Sequence, residues 1–203
     1  MISVVDYGVA NLGSMLNMLR KVGAAVRLVA TPGDLAEATR IVLPGIGAFD
    51  HGMAALEERG FIGPLRDKVL VGRVPLLGVC LGMQMLGLGS EEGSRAGLGL
   101  IPMRCQRLRP PPGSRLKVPH IGWSALAPRR VSPLLDGLDA DSRFYFVHSY
   151  HAVCEREEDV LATSSFGTDF VSVVERGNIR GVQFHPEKSH RYGMALLRNF
   201  ARI

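Results

Sequence analysis

Gly78-Val79-Cys80-Leu81-Gly82 places a cysteine between two glycines, directly after the apolar run Val74 to Val79 and before Met83 to Leu86, which reads as helical. This is the pattern of a nucleophile elbow. A residue on so sharp a strand-to-helix turn is forced into strained backbone angles, the glycines leave room for it, and its side chain projects from the sheet edge. The first turn of a helix also favours a thiolate, because free N–H groups and the dipole present positive charge there. The plain alternative is a small buried cysteine where a helix packs closely on a sheet.

A thiolate needs a base to set its charge and later to protonate the leaving amine. Of the six histidines, His185 stands out because it ends the strand-like run Gly181 to Phe184 and precedes Pro186-Glu187. In an extended segment His185 and Glu187, two apart, share a face, so the carboxylate can reach and orient the imidazole. His-Pro-Glu alone is more often a strand-end turn, and the elbow is what raises it to a catalytic candidate. Leu43-Pro44-Gly45-Ile46-Gly47-Ala48-Phe49 ends another apolar run. Its glycines let backbone N–H groups turn toward a ligand, so beside Cys80 this loop and the Leu81 N–H can form an oxyanion site. A tight strand-to-helix turn is the bland reading of the same loop. No Gly-Lys-Ser/Thr follows, which argues against a phosphate loop.

Phe144-Tyr145-Phe146-Val147-His148-Ser149-Tyr150 reads first as core packing, with a surface role for Tyr145 as the sharper alternative. His120, His148 and His151 have no carboxylate or cysteine partners at ligand spacing, so no metal is expected. Cys80, Cys105 and Cys154 lack a Cys-x-x-Cys pair and suggest neither a disulfide framework nor a zinc site.

These residues require a scaffold that brings distant segments together. Ile2 to Val5, Val26 to Val29, Ile41 to Leu43 and Val74 to Val79 read as strands. Leu12, Met15, Leu16 and Leu19 line one helical face between the first two, with Gly23 as a stop. Alternation of this kind predicts an α/β fold with a mainly parallel central sheet flanked by helices, and such sheets bind ligands at the carboxyl ends of their strands. From about Gly89 the texture becomes β-rich and antiparallel. Candidate strands there are Phe144 to Val147, His151 to Cys154, Val160 to Thr163, Val171 to Val174 and Asn178 to Phe184, with a hairpin turn at Arg176-Gly177-Asn178. Ser189 to Arg202 reads as a closing helix. The chain of 203 residues shows no repeat or long linker, so one domain over 1–203 is expected.

With 46% hydrophobic and 21% charged residues the composition is that of an ordinary globular protein. No run reaches the roughly 18 apolar residues of a spanning helix, and Met1 to Asp6 shows no leader pattern, so a cytoplasmic protein is expected. The net charge of +5 comes from scattered basic residues without an aromatic-and-basic module, which argues against nucleic acid.

Taken together, Gly78-Val79-Cys80-Leu81-Gly82-Met83-Gln84 and Phe184-His185-Pro186-Glu187-Lys188-Ser189 resemble the class I, or triad, glutamine amidotransferases. Asp6-Tyr7-Gly8 with Asn11, Pro44-Gly45-Ile46-Gly47-Ala48-Phe49, His120-Ile121-Gly122-Trp123 and Phe144 to Tyr150 are similar to the HisH family, glutaminase subunits of imidazole glycerol phosphate synthase. The resemblance runs nearly end to end and implies a flavodoxin-like fold, a Cys80-His185-Glu187 triad and no cofactor. It further implies an oxyanion hole at Gly47 and Leu81, a glutamine pocket lined by Gly47, Gln84, Ser149 and Tyr150, and a partner face at Asn11, Trp123 and Tyr145. The implied partner is a (β/α)8 cyclase subunit in a heterodimer, fed with ammonia from glutamine. Two departures, Val9-Ala10 where a second glycine is more usual and Ile46 in place of valine, bear on loop and interface detail only. The alternatives are a glutaminase serving another synthase, such as the pyridoxal phosphate system, and a regulatory subunit without catalysis.

Overall fold

The computed structural model describes all residues 1–203. Its first half builds four parallel strands, β1 (Ile2–Val5), β2 (Val26–Val29), β3 (Ile41–Gly45) and β4 (Leu76–Cys80). Helix α1 (Leu12–Lys21) joins the first two, α2 (Phe49–Glu58) and α3 (Ile62–Leu70) join the last two, and α4 (Leu81–Met85) follows β4 without a break. The β-rich half supplies β5 (Gly89–Ser90), β6 (Met103–Arg107), β7 (His120–Ala125), β8 (Ala127–Pro128), β9 (Arg143–His148), β10 (Tyr150–Cys154), β11 (Val160–Phe166), β12 (Thr168–Arg176) and β13 (Ile179–Val182), then α5 (His190–Arg202).

The sheet runs β2-β1-β3-β4-β13-β12-β10-β6-β5, with β11 on β12 and β8 on β11, while β7 and β9 form a separate antiparallel pair. Strand β13 pairs antiparallel with β12 but parallel with β4, matching Gly181 to Gly78 and Val182 to Val79. That parallel pairing, which the sequence reading placed among antiparallel pieces, sets the segment after β13 beside the end of β4. Arg176 and Ile179 close the β12–β13 hairpin, with Gly177 at φ 58° in the turn.

Successive strand residues face opposite sides of the sheet, so a strand buried on both faces is apolar throughout. Val5, Ile41, Leu43 and Leu76 meet α2 and α3 through Phe49, Leu56, Leu65 and Val69. Val4, Val42, Leu77 and Val79 meet α1 and α5 through Met15, Leu19, Leu197 and Phe200. No helix is long and apolar enough to cross a membrane.

Candidate active site

Cys80 sits at the junction of β4 and α4 with φ 54° and ψ −110°, a backbone state that a non-glycine residue adopts only under constraint. The constraint is steric. A Cβ on Gly78 would lie 2.7 Å from the Gly82 carbonyl oxygen, and one on Gly82 would collide with the Leu43 carbonyl. Both glycines of the elbow are therefore required by close backbone approach rather than by turn conformation. Helix α4 has only five residues, so the dipole anticipated from the sequence is short. The positive charge beside the sulfur must come mainly from elsewhere.

It comes from His185. The segment after β13 is pinned by His185 N–H donating to the Tyr145 carbonyl (2.9 Å) and by the Ser189 hydroxyl donating to the His185 carbonyl (2.7 Å). Glu187 Oε1 lies 2.7 Å from His185 Nδ1, with both side chains 4% exposed. The extended geometry expected for this pair is not what occurs: Pro186–Lys188 is a turn of 3₁₀ helix, and the chain curls to bring the carboxylate onto the imidazole. Burial opposes charge on His185, but the Cys80 sulfur and the Glu187 carboxylate outweigh it and raise the imidazole to about 10. At neutral pH the resting imidazole is thus a cation between two acidic groups.

The sign of this shift makes a prediction. A group held protonated in the folded chain contributes stability that is complete below the unfolded value near 6.5 and lost as pH rises through about 10. The thermal midpoint of the wild-type chain should therefore fall between these limits more steeply than that of His185→Asn. Parallel curves for the two proteins would refute the assignment.

Cys80 and His185 open onto one cavity of 440 Å³, which Gly47, Leu81, Gln84, Ser149 and Tyr150 also line. Glu187 lies behind His185, outside the cavity lining. Ile46 N–H is committed to the Val9 carbonyl (3.1 Å), and Gly47 adopts φ 95° with open space around its Cα. The Tyr7 hydroxyl holds the Pro44 carbonyl at 2.8 Å, anchoring the start of the loop. Among the other residues that line the cavity, Glu92, His148 and Lys188 carry titratable groups that were not anticipated there. Glu92 also accepts the Phe49 N–H at the start of α2 (2.9 Å). A carboxylate and an ammonium at one cavity can bind the two charged ends of an amino acid. Glu92 carried no signal in the sequence, whereas Lys188 stands directly after Glu187 in the Phe184 to Ser189 motif.

The remaining candidates lie elsewhere. Trp123 is 46% exposed, stacks on His190 (5.4 Å between ring centres) and meets the Tyr145 ring at 5.6 Å. Ile121, on the same strand, is 61% exposed. Asn11 stands exposed before α1 and makes no side-chain cap. No group of three or more His, Cys, Asp or Glu side chains is arranged to hold a metal ion.

A cysteine on an elbow, a histidine backed by a glutamate and a glycine loop at a single cavity are an arrangement suited to thiol chemistry, and sequence comparison supplies the class. The chain belongs to the class-I glutamine amidotransferase family, whose family model matches residues 3–203. Within that class its relatives are specific. It is 46% identical over 203 residues, all of both chains, to "imidazole glycerol phosphate synthase subunit HisH 2" of Pseudomonas aeruginosa. It is 44% identical to the protein of the same name from Methanococcus maripaludis, over 100% of this chain and 99% of the relative. At the level of fold, a solved glutamine amidotransferase superposes with TM-score 0.73 at 20% identity, covering both chains fully. A PurLQS structure from Thermotoga maritima gives 0.75 at 17% identity, covering 99% of this chain and 97% of the other.

Proposed function

We propose that this chain is the glutaminase subunit of an imidazole glycerol phosphate synthase in histidine biosynthesis, acting as a single amidotransferase domain over 1–203. The observation that carries the chemistry is the meeting of Cys80 with the His185–Glu187 pair at one cavity. Glutamine binds with its side-chain amide at the sulfur, its α-ammonium toward Glu92 and its α-carboxylate toward Lys188. Cys80 Sγ attacks the amide carbon, and the developing oxyanion is met by the Leu81 and Gly47 N–H groups. His185 gives its proton to the departing nitrogen, so ammonia leaves and a glutamyl thioester remains. Water then attacks with His185 as base, releasing glutamate and the thiol. Glu187 holds the imidazole in orientation throughout. Gln84, Ser149 and Tyr150 shape the pocket around the substrate.

Ammonia made here serves a partner. The HisH relatives are named as subunits, which supports assembly with a second synthase protein, and the partner in this reading is a (β/α)8 cyclase held in a heterodimer. The exposed Trp123, the half-buried Tyr145 against it and Asn11 form the face for it, and the cyclase uses ammonia to convert a phosphoribulosyl aminoimidazole carboxamide nucleotide to imidazole glycerol phosphate and the aminoimidazole carboxamide ribonucleotide. Full-length identity to HisH proteins weighs against the pyridoxal phosphate system, and the complete triad weighs against a regulatory subunit without catalysis. The test is reconstitution: the chain mixed with a (β/α)8 cyclase should form a one-to-one complex that turns over the nucleotide with glutamine as sole nitrogen donor. Absence of both complex and turnover would sink the reading.

A further inference from the structure

The mechanism leaves unused one buried amide, which links the pocket residue Gln84 to the nucleophile. Gln183, fully buried, follows β13 two residues before His185. Its Nε2 lies 3.8 Å from Cys80 Sγ, and its Oε1 lies 3.0 Å from Gln84 Nε2. Gln84 Nε2 in turn lies 3.0 Å from the Tyr150 carbonyl. Amide orientation follows from the network rather than from shape, because oxygen and nitrogen ends are nearly isosteric.

Here one atom decides the whole chain. A backbone carbonyl can only accept, so Gln84 must turn its NH₂ toward Tyr150. With its nitrogen so placed, Gln84 donates its second hydrogen to Gln183, which must present oxygen. The NH₂ of Gln183 is then left facing the sulfur. The same carbonyl orders a second branch, since His148 Nδ1 lies 2.8 Å from it and must donate. His148 Nε2 is then an acceptor for His120 Nδ1 (3.2 Å), and His120 Nε2 accepts from the Ser124 hydroxyl (3.2 Å). This order needs both imidazoles neutral. Burial keeps them so, pushing His148 down to about 3 and lowering His120 as well.

We propose that Gln183 is a fixed hydrogen-bond donor to the Cys80 thiolate, aimed at the sulfur by the Tyr150 carbonyl through Gln84. The proposal rests on the reading of Cys80 as the nucleophile. It assigns a function to a buried amide that otherwise does no more than fill space, and it places a second donor on the sulfur besides His185. A hydrogen bond to an ionised acceptor is stronger than one to its neutral form, so losing it disfavours the thiolate selectively. A consequence follows for Gln84: both its amide hydrogens are engaged, and only its oxygen can face glutamine.

The test uses alkylation of the full chain by iodoacetamide, which reads thiolate directly and needs neither glutamine nor a partner. Burial pushes Cys105 and Cys154 up to about 12, so Cys80 should be the fast site. In Gln183→Met and Gln183→Glu, the Met side chain cannot donate and the Glu carboxylate adds like charge. Both should displace the alkylation curve to higher pH by about one unit, with rates about tenfold lower on its rising limb. In wild-type protein the Gln183 side-chain NH₂ resonances should shift with the same pH midpoint as the alkylation curve. A folded Gln183→Met with the wild-type curve, or Gln183 resonances indifferent to that midpoint, would overturn the proposal. Alkylation of wild-type Cys80 no faster than that of Cys105 or Cys154 would instead remove the nucleophile reading beneath it.

Discussion

In the complex with its cyclase, Cys80→Ala should reduce synthesis from glutamine by at least about 10³-fold, because removing the nucleophile of a covalent mechanism leaves only what binding and oxyanion donors supply. Synthesis from added ammonium salts should be unchanged. The division follows from geometry: the sulfur lies in a cavity of this chain, and nothing in the onward reaction of ammonia calls on it. His185→Ala should lose at least about 10²-fold in glutamine hydrolysis through loss of the acid and base. It should also spare the ammonia reaction. Steady-state assays with each nitrogen source decide the matter, and a parallel fall of the ammonia-driven rate in Cys80→Ala would show that the chemistry is not divided in this way.

Glutamine hydrolysis should be weak in the free subunit and rise by about 10² to 10³ when cyclase and nucleotide are both bound, the range expected for gain of one oxyanion donor. The control point is the loop after β3. Ile46 N–H is held by the Val9 carbonyl, so Gly47 is the peptide left to supply the donor, and its φ of 95° is a region closed to branched side chains. Gly47→Val should remove the glutamine-dependent rate by a similar factor and leave the ammonia-driven rate intact. Hydrolysis measured for the subunit alone, with cyclase, and with cyclase plus nucleotide tests this; three equal rates would dispose of it. Coupling of this kind has a chemical rationale, since ammonia released without an acceptor is protonated and lost.

The parallel strands, the elbow and the amphipathic α1 were legible in the sequence because each is a local pattern: apolar runs, a glycine frame, a 3.6-residue period. What was not legible is set by pairing across the sheet. Strand β13 carries no mark that its neighbour is β4 rather than a second antiparallel strand, yet that register is what delivers His185 to Cys80. The His185–Glu187 contact was anticipated from an extended backbone, whereas a 3₁₀ turn makes it, with the proline at the start of that turn. Glu92 reaches the cavity from a segment whose local sequence has no catalytic signature. Gln183 stands in plain view two residues before His185, but only the Tyr150 carbonyl, far off in sequence, shows which way its amide points.

The insertion of β13 between β4 and β12 also bears on how the molecule is made. Gln183 and Cys80 are 103 residues apart, and the strand that joins them is the last of the sheet to be synthesised. Contacts of such sequence separation form late, since a long loop must close before they return any energy. Because His185 and Glu187 follow β13, the Cys80 site cannot be assembled before that strand has been made and docked. The order of synthesis thus puts the nucleophile first and its base last.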